Sequence, residues 1–270
     1  MPGTLRDRPL RTRYPDAAPQ AALPPRPPRD EPDAPLRWRW LGLGCALALV
    51  STAVLPGYFS WFLCALPHEM GHATVGCLLG RPAAPAISLG GHAWTGIADR
   101  QTVLVVLVAL VAAASAVLAF RRQRTGLAVA ATAAAIALPI VAFTGLSEVL
   151  ISLGGHVGEL LFAGYCYALV FTGGKTGTPQ ERTACAFAGS LVQAVNVKMC
   201  FLLMTSHTAR SHYGSSGSLG MKNDYLVLAE DLLHCKLETV SAGMLLLAIA
   251  LPLVGLGLGI WRESATDDAA

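Results

Sequence analysis

The sequence is poor in charge for its length. Only 14% of its 270 residues are Asp, Glu, Lys or Arg, whereas 53% are hydrophobic, and the mean hydropathy is +0.51. A water-soluble globular domain carries about 25% charged residues, so that class is excluded. The formal net charge of +3 is too small and too dispersed to indicate nucleic-acid binding. This composition indicates a protein that spans a membrane several times.

Paired cysteines are also missing. The seven cysteines lie mostly inside apolar segments, and no two of them form a C-x-x-C pair. Neither a disulfide framework nor a thiolate zinc site is therefore indicated. We interpret these cysteines as small buried hydrophobic side chains.

The chain divides into two polar ends and an apolar middle. Residues 1–37 are rich in Pro and Arg, and they predict a disordered tail because such a composition cannot bury apolar surface. Residues 38–262 are expected to form one polytopic membrane domain, and residues 263–270 a short polar tail.

Seven apolar runs are candidates for membrane helices. They lie at about 41–55, 58–79, 102–120, 126–143, 146–171, 183–205 and 240–261. Between the second and third runs, Ala86–Gly96 predicts an extended segment or a hairpin. We therefore predict an all-α membrane protein with about six to seven transmembrane helices and one short extended or hairpin segment after the second helix.

The basic residues indicate an orientation. If seven spans alternate, the N-terminal side collects 13 of the 20 Lys and Arg residues and the other side collects six, with Lys198 inside a span. Because basic residues concentrate on the cytoplasmic side of membrane proteins, this distribution favours a cytoplasmic N-terminus.

The second run carries the motif His68-Glu69-Met70-Gly71-His72. On a helix, His68 and His72 share one face, so both imidazoles can reach one Zn²⁺, and Glu69 lies beside them where it can act on water. Two satisfied core histidines or a chance pentapeptide are the alternatives. They are less favoured within a membrane, where burying these three residues costs several kcal/mol and usually marks a functional site.

Two later sets of residues could complete a metal site. Glu148, Ser152, His156 and Glu159 form one polar stripe on the fifth run, and a metal would stabilise His156 and Glu159 inside a span. Asp224 precedes a short apolar helix, where an ordinary helix cap would also explain it.

Polar residues on the sixth run have a simpler interpretation. Ser190, Gln193 and Asn196 recur at helical spacing. We interpret them as groups that form hydrogen bonds between helices.

A membrane helix with this motif, followed by Leu79-Gly80 and a Gly-Gly-containing extended segment, resembles the site-2 protease family of intramembrane zinc metalloproteases. The resemblance covers about residues 61–96. It implies zinc held by His68 and His72, Glu69 as general base, an edge segment near Ile87–Thr95 that binds substrate backbone, and a third ligand from a later helix. In the family that ligand is usually an Asp before Gly, and this chain contains no Asp-Gly pair.

We expect His156 to be the third zinc ligand, with Asp224 or Glu159 as the alternative. Glu159 could instead orient an imidazole. The expected function is an intramembrane zinc metalloprotease-like hydrolase of the plasma membrane, acting on membrane-embedded or membrane-adjacent proteins and not on nucleic acid. The alternatives are a metal or proton transporter that uses the intramembrane His and Glu cluster as a relay, and a catalytically inactive relative.

Overall fold

The computed structural model describes residues 34–54, 57–172, 178–215 and 222–267. The predicted disordered tail lies outside these residues up to position 33. The first and last helices extend into the predicted polar tails, residues 1–37 and 263–270. The first helix begins at Ala34, and the last continues to Asp267.

The described helices follow the apolar runs. In chain order they are α1 Ala34–Val54, α2 Gly57–Leu78, α3 Thr102–Arg121, α4 Thr125–Ala142, α5 Leu146–Thr172, α6 Pro179–Thr205, α7 His207–Ser215, α8 Asp224–Leu226 and α9 Leu237–Asp267, with a π-helix, Val227–Leu232, after α8. Strands β1 (Ala83–Ile87) and β2 (Ala93–Ile97) form an antiparallel hairpin in which Ala83 pairs with Ile97. The predicted all-α membrane fold with one hairpin after the second helix is confirmed.

Five described helices, α3, α4, α5, α6 and α9, are each long and apolar enough to cross a membrane. Helices α1 and α2 qualify only as a pair. Arg37 at the start of α1 donates a hydrogen bond to the carbonyl of Phe171 at the end of α5 (3.3 Å), whereas Leu79 after α2 packs against Ile151 near the start of α5. The described helices therefore give five candidate crossings, or six if α1 and α2 together make one, where the sequence predicted about six to seven.

The bundle consequently has two ends of different chemistry. At the first end, the arginine face, Arg37 and Arg182 bind carbonyls at the end of α5, and Arg37 pairs with Glu263 of α9. At the opposite end, the site face, Arg81 pairs with Glu148 at the start of α5. The distribution based on seven alternating spans placed Arg81 on the same side as the N-terminus. The structure corrects this, because Arg37 and Arg81 lie at opposite ends of the bundle.

Hydrogen bonds tie α5, α6 and α9 together within the apolar region. The Tyr167 hydroxyl donates to Gln193 Oε1 (2.7 Å), and Gln193 Nε2 donates to the carbonyl of Ala248 (3.1 Å). The interpretation of the polar residues on α6 as interhelical hydrogen-bonding groups is confirmed for Gln193 and also for Ser190, which lies 3.0 Å from the Tyr167 hydroxyl. These contacts hold the helices that surround the site.

Candidate metal centre

A cavity of about 710 Å³ lies between α2, the hairpin, α5, α6 and α8. All six residues that the sequence suggested as ligands or catalytic groups line it: His68, Glu69, His72, His156, Glu159 and Asp224. They come from three separate segments of the chain, which the fold brings to one place.

Three ligand atoms converge in this cavity. His68 Nε2 lies 2.9 Å and His72 Nε2 lies 3.1 Å from the same oxygen, Asp224 Oδ2, and the two Nε2 atoms are 3.1 Å apart. Atoms bound tetrahedrally to one zinc ion at about 2.0–2.1 Å are roughly 3.4 Å apart. The spacing of the three atoms therefore fits a single zinc ion.

The outer nitrogens of both imidazoles have acceptors of their own. His72 Nδ1 donates a hydrogen bond to the carbonyl of Ile151 (2.7 Å), and His68 Nδ1 lies 3.4 Å from Glu159 Oε1. A neutral imidazole protonated at Nδ1 carries a lone pair at Nε2. Three lone-pair-bearing atoms therefore face one another at about 3 Å, and this arrangement is stable only with a cation or shared protons between them. The chemistry of the donor set fits zinc.

Asp224 differs most from the sequence-based expectation. The N-cap position of α8 belongs to Asn223, whose side chain makes no capping hydrogen bond, and the Asp224 carboxylate contacts His68 and His72 instead. When shared protons rather than a cation lie between these atoms, burial opposes ionisation, but hydrogen bonds from the two histidines outweigh it and hold the pKa of the Asp224 carboxyl well below its usual range. The interpretation of Asp224 as an ordinary helix cap is wrong.

His156, the expected third ligand, lies beside this cluster. Its Nε2 atom is 4.0 Å from Asp224 Oδ2, and its ring centroid is 4.6 Å from that of His68. Its Nδ1 atom is 3.0 Å from Glu159 Oε2. Glu159 thus contacts the Nδ1 atoms of both His68 and His156, which suits the orienting role considered for it. His68, His156 and Glu159 also form a second group with metal-binding spacing, so a ligand role for His156 stays a prediction.

Glu69 lies on the same wall of the cavity and is 6% exposed. Its Oε2 atom accepts a hydrogen bond from the hydroxyl of Thr95 on β2 (2.6 Å). The sequence placed Thr95 only at the end of a substrate-binding edge segment, and its contact with Glu69 was not predicted. The contact between Glu69 and Thr95 depends on how β2 packs along α2, and no local sequence pattern predicts that packing.

Glycines allow α2 and α5 to approach closely enough for this cluster to form. A Cβ atom on Gly71 would lie 2.1 Å from the carbonyl oxygen of Gly154, and one on Gly158 would lie 2.7 Å from the Cα of Gly71. A Cβ atom on Gly155 would lie 2.4 Å from His72 Nε2 and 2.6 Å from His68 Nε2. These glycines therefore let α5 pack directly against α2.

Two other polar residues near the site have roles that differ from those expected. Glu148, the first residue of the polar stripe, forms an ion pair with Arg81 at the site face, and its side chain is 41% exposed. Asn196 lines the cavity and donates through Nδ2 to the carbonyl of Val192 (3.0 Å), while its buried Oδ1 has no hydrogen-bond partner among the described residues. Asn196 therefore offers an acceptor beside the site, which its interpretation as a packing residue did not foresee.

Comparison of the chain with family models, with curated proteins and with solved structures gave no match. The functional conclusion therefore depends on the residues of the cavity and on their geometry.

Proposed function

We propose that this protein is a zinc metallopeptidase that hydrolyses peptide bonds within or next to the membrane, like the site-2 protease family that its α2 motif resembles. The observation that carries the proposal is the convergence of His68 Nε2, His72 Nε2 and Asp224 Oδ2 beside Glu69 in one buried cavity. Zinc held by such a ligand set activates water and polarises a carbonyl group.

The ligands and their supports have separate roles in this proposal. His68, His72 and Asp224 hold the metal, and this differs from the expectation that favoured His156. The Ile151 carbonyl and Glu159 accept the outer N–H groups of the two histidines, which keeps both Nε2 lone pairs directed into the cavity. Such outer partners contribute about 10–100-fold to metal affinity in other proteins.

Glu69 is the general base in this proposal. It accepts the proton of the attacking water and returns it to the nitrogen of the leaving amine. Its Oε2 atom already accepts a hydrogen bond from the Thr95 hydroxyl. Since no hydrogen bond reaches Oε1 from the described part of the chain, Oε1 is the oxygen available to move the proton.

The cavity suits a polypeptide substrate in an extended conformation. Its walls include apolar side chains of α2, the hairpin and α6, among them Trp61, Trp94 and Met199. Because a helical substrate hides its peptide bonds, a segment that unwinds locally in or near the bilayer is the substrate class that we propose. The plasma membrane is the proposed location.

A transporter is the main rival, and it requires polar groups at successive depths. Glu148 would be the outermost member of such a relay, but its ion pair with Arg81 removes it from the cluster at His68. The remaining residues surround one point and do not form a path, which supports hydrolysis over transport. An inactive relative would keep zinc and lack turnover.

The test uses the full chain purified in detergent and a quenched fluorescent peptide with an apolar segment that contains a helix-breaking Asn-Pro step. We expect about one zinc per chain, and cleavage of the peptide. Glu69→Gln should keep the zinc and lower turnover by about 10²–10⁴-fold, because an amide cannot accept the proton. Glu148→Gln, the same change on a neighbouring helix, should retain zinc and turnover.

Two results would contradict the proposal. Undiminished zinc in a variant that carries both His68→Ala and His72→Ala would rule out the metal site. Wild-type turnover by Glu69→Gln would rule out Glu69 as the base.

A further inference from the structure

We infer that Ser152 and His156, which lie one helical turn apart on α5, bind the backbone of an extended substrate by accepting two of its N–H groups. The inference rests on the proposed function for its substrate class, a polypeptide. It gives α5 a direct part in holding that polypeptide, in addition to packing against the metal centre.

The first step is the unused nitrogen of His156. This side chain is 6% exposed and lines the cavity. Its Nδ1 atom lies 3.0 Å from Glu159 Oε2. Because a carboxylate only accepts hydrogen bonds, Nδ1 carries the proton and Nε2 carries a lone pair. That Nε2 atom lies 4.0 Å from Asp224 Oδ2, which is beyond hydrogen-bonding distance.

No group in the described part of the chain donates a hydrogen bond to His156 Nε2. A buried acceptor that lacks a donor is costly, and such groups are few in folded proteins. The ring is also held in one orientation, because its centroid lies 4.6 Å from that of His68 and 4.3 Å from that of the fully buried Tyr225. The lone pair is therefore a fixed acceptor for a donor that enters the cavity, and a fixed group loses little entropy on binding.

The second step is the hydroxyl of Ser152, which lines the cavity one turn before His156. A serine on a helix often donates to the carbonyl four residues earlier, as Ser115 and Ser241 do here. The Ser152 hydroxyl forms neither this bond nor any other with residues 34–54, 57–172, 178–215 or 222–267. A hydroxyl can accept an N–H and donate to a carbonyl, so it suits both groups of a peptide backbone.

The third step is the spacing of these two groups. Four residues of α-helix advance about 6 Å along the helix axis. An extended peptide directs the N–H groups of alternate residues to the same side, about 6.6 Å apart. The two spacings agree to within about 1 Å, so one extended segment lying along α5 meets both Ser152 and His156. The strand β2 lines the same cavity through Trp94 and Thr95, and it pairs only with β1 among the described strands. With one edge of the substrate on α5, the other edge is left for β2.

The test measures peptide binding to the full chain carrying Glu69→Gln, the variant that should keep zinc without turnover. The ligand is a fluorescent peptide with the apolar segment and Asn-Pro step described above. It is compared with a series in which one backbone amide at a time is replaced by an ester, which removes one N–H and keeps the length of the chain. Dissociation constants are measured by fluorescence anisotropy at saturating zinc. We expect esters at two positions, two residues apart, each to weaken binding by about fivefold or more.

Variants of α5 connect each ester effect with one side chain. Adding His156→Leu should abolish the ester effect at one of the two positions, and adding Ser152→Ala should abolish it at the other. His156→Gln should restore the first effect, because its side-chain oxygen supplies an acceptor in place of Nε2. Ser115→Ala, the same change as Ser152→Ala on an exposed position of α3, should leave both effects unchanged.

Ester effects that persist in both His156→Leu and Ser152→Ala would overturn the inference. Loss of zinc from His156→Leu at saturating metal would also overturn it, because His156 would then be a ligand. If the wild type cleaves the peptide but the ester effects do not depend on α5, the inference fails and the proposed function stands. If the expected ester effects are found but the wild type cleaves nothing, the proposed function fails and the binding role of α5 stands. A peptide that does not bind at all would contradict both.

Discussion

Gly155→Ala is the substitution that tests the metal centre most directly. The position lies on α5 against both imidazoles, and a methyl group there would be 2.4 Å from His72 Nε2 and 2.6 Å from His68 Nε2. Ordinary contacts of carbon atoms lie at about 3.5 Å, so the rings would have to move by roughly 1 Å. Metal sites tolerate changes of only about 0.2 Å in ligand distance. The methyl group would therefore separate the ligand atoms well beyond this tolerance.

We expect Gly155→Ala to lower zinc affinity by at least about 100-fold, more than the loss of an orienting partner. The affinity would be measured by competition with a chelator of known zinc affinity, and the zinc content by mass spectrometry. Gly158→Ala is the control for crowding, because its Cβ atom would meet Gly71 and Pro67 but neither imidazole. Gly145→Ala is the neutral control, since its Cβ atom would have no atom within 4 Å.

The comparison separates a metal effect from a folding effect. Both Gly155→Ala and Gly158→Ala should lower the melting temperature of the metal-free protein, since each forces α5 away from α2. Only Gly155→Ala should also lower zinc affinity beyond this shared effect. If Gly155→Ala bound zinc as tightly as the wild type while folded, the metal would not lie between His68 and His72, and the reasoning would be refuted.

Two further substitutions address the third ligand and the general base. Asp224→Ala should release the zinc, because it removes one of three converging atoms, whereas His156→Ala should lower affinity by about 10–100-fold and leave metal bound. Zinc analysis of both variants that showed the opposite order would restore His156 as the ligand. Thr95→Val, which removes the hydroxyl and keeps the branched side chain, should lower kcat about tenfold with zinc and KM unchanged, and Thr95→Ser should restore kcat. An unchanged kcat for Thr95→Val in the peptide assay would show that the hydroxyl does not position Glu69.

The sequence predicted the helices well, because their signals are local. Uninterrupted apolar runs identified five of the long helices, α2 to α6, to within about four residues at each end, and the Gly-Gly pair near Ile87 identified the hairpin. The number of crossings was harder to predict. Helices α1 and α2 each have an apolar run, yet they are long and apolar enough for a crossing only as a pair, which neither run indicates by itself.

The candidate site was predicted in part for the same reason. His68, Glu69 and His72 belong to one helix turn, so their spacing is visible in the sequence. Asp224 and Thr95 reach the site from segments 152 and 26 residues away from His72 and Glu69, respectively. No periodicity links such residues, and only the packing of the hairpin and of α8 against α2 brings them together.

The preference for His156 over Asp224 shows what the cost of burial can and cannot identify. That cost correctly selected His156 and Glu159 as members of the cluster, because an ionisable group on a membrane helix needs a partner. It does not distinguish a ligand from the group that orients a ligand, since both are buried and both are paired. Asp224 carried no such signal, because it lies beyond the end of α6, where polar residues are common. A candidate ligand on a segment between two membrane helices is therefore recognised only from the atoms that it faces, here Nε2 of His68 and Nε2 of His72.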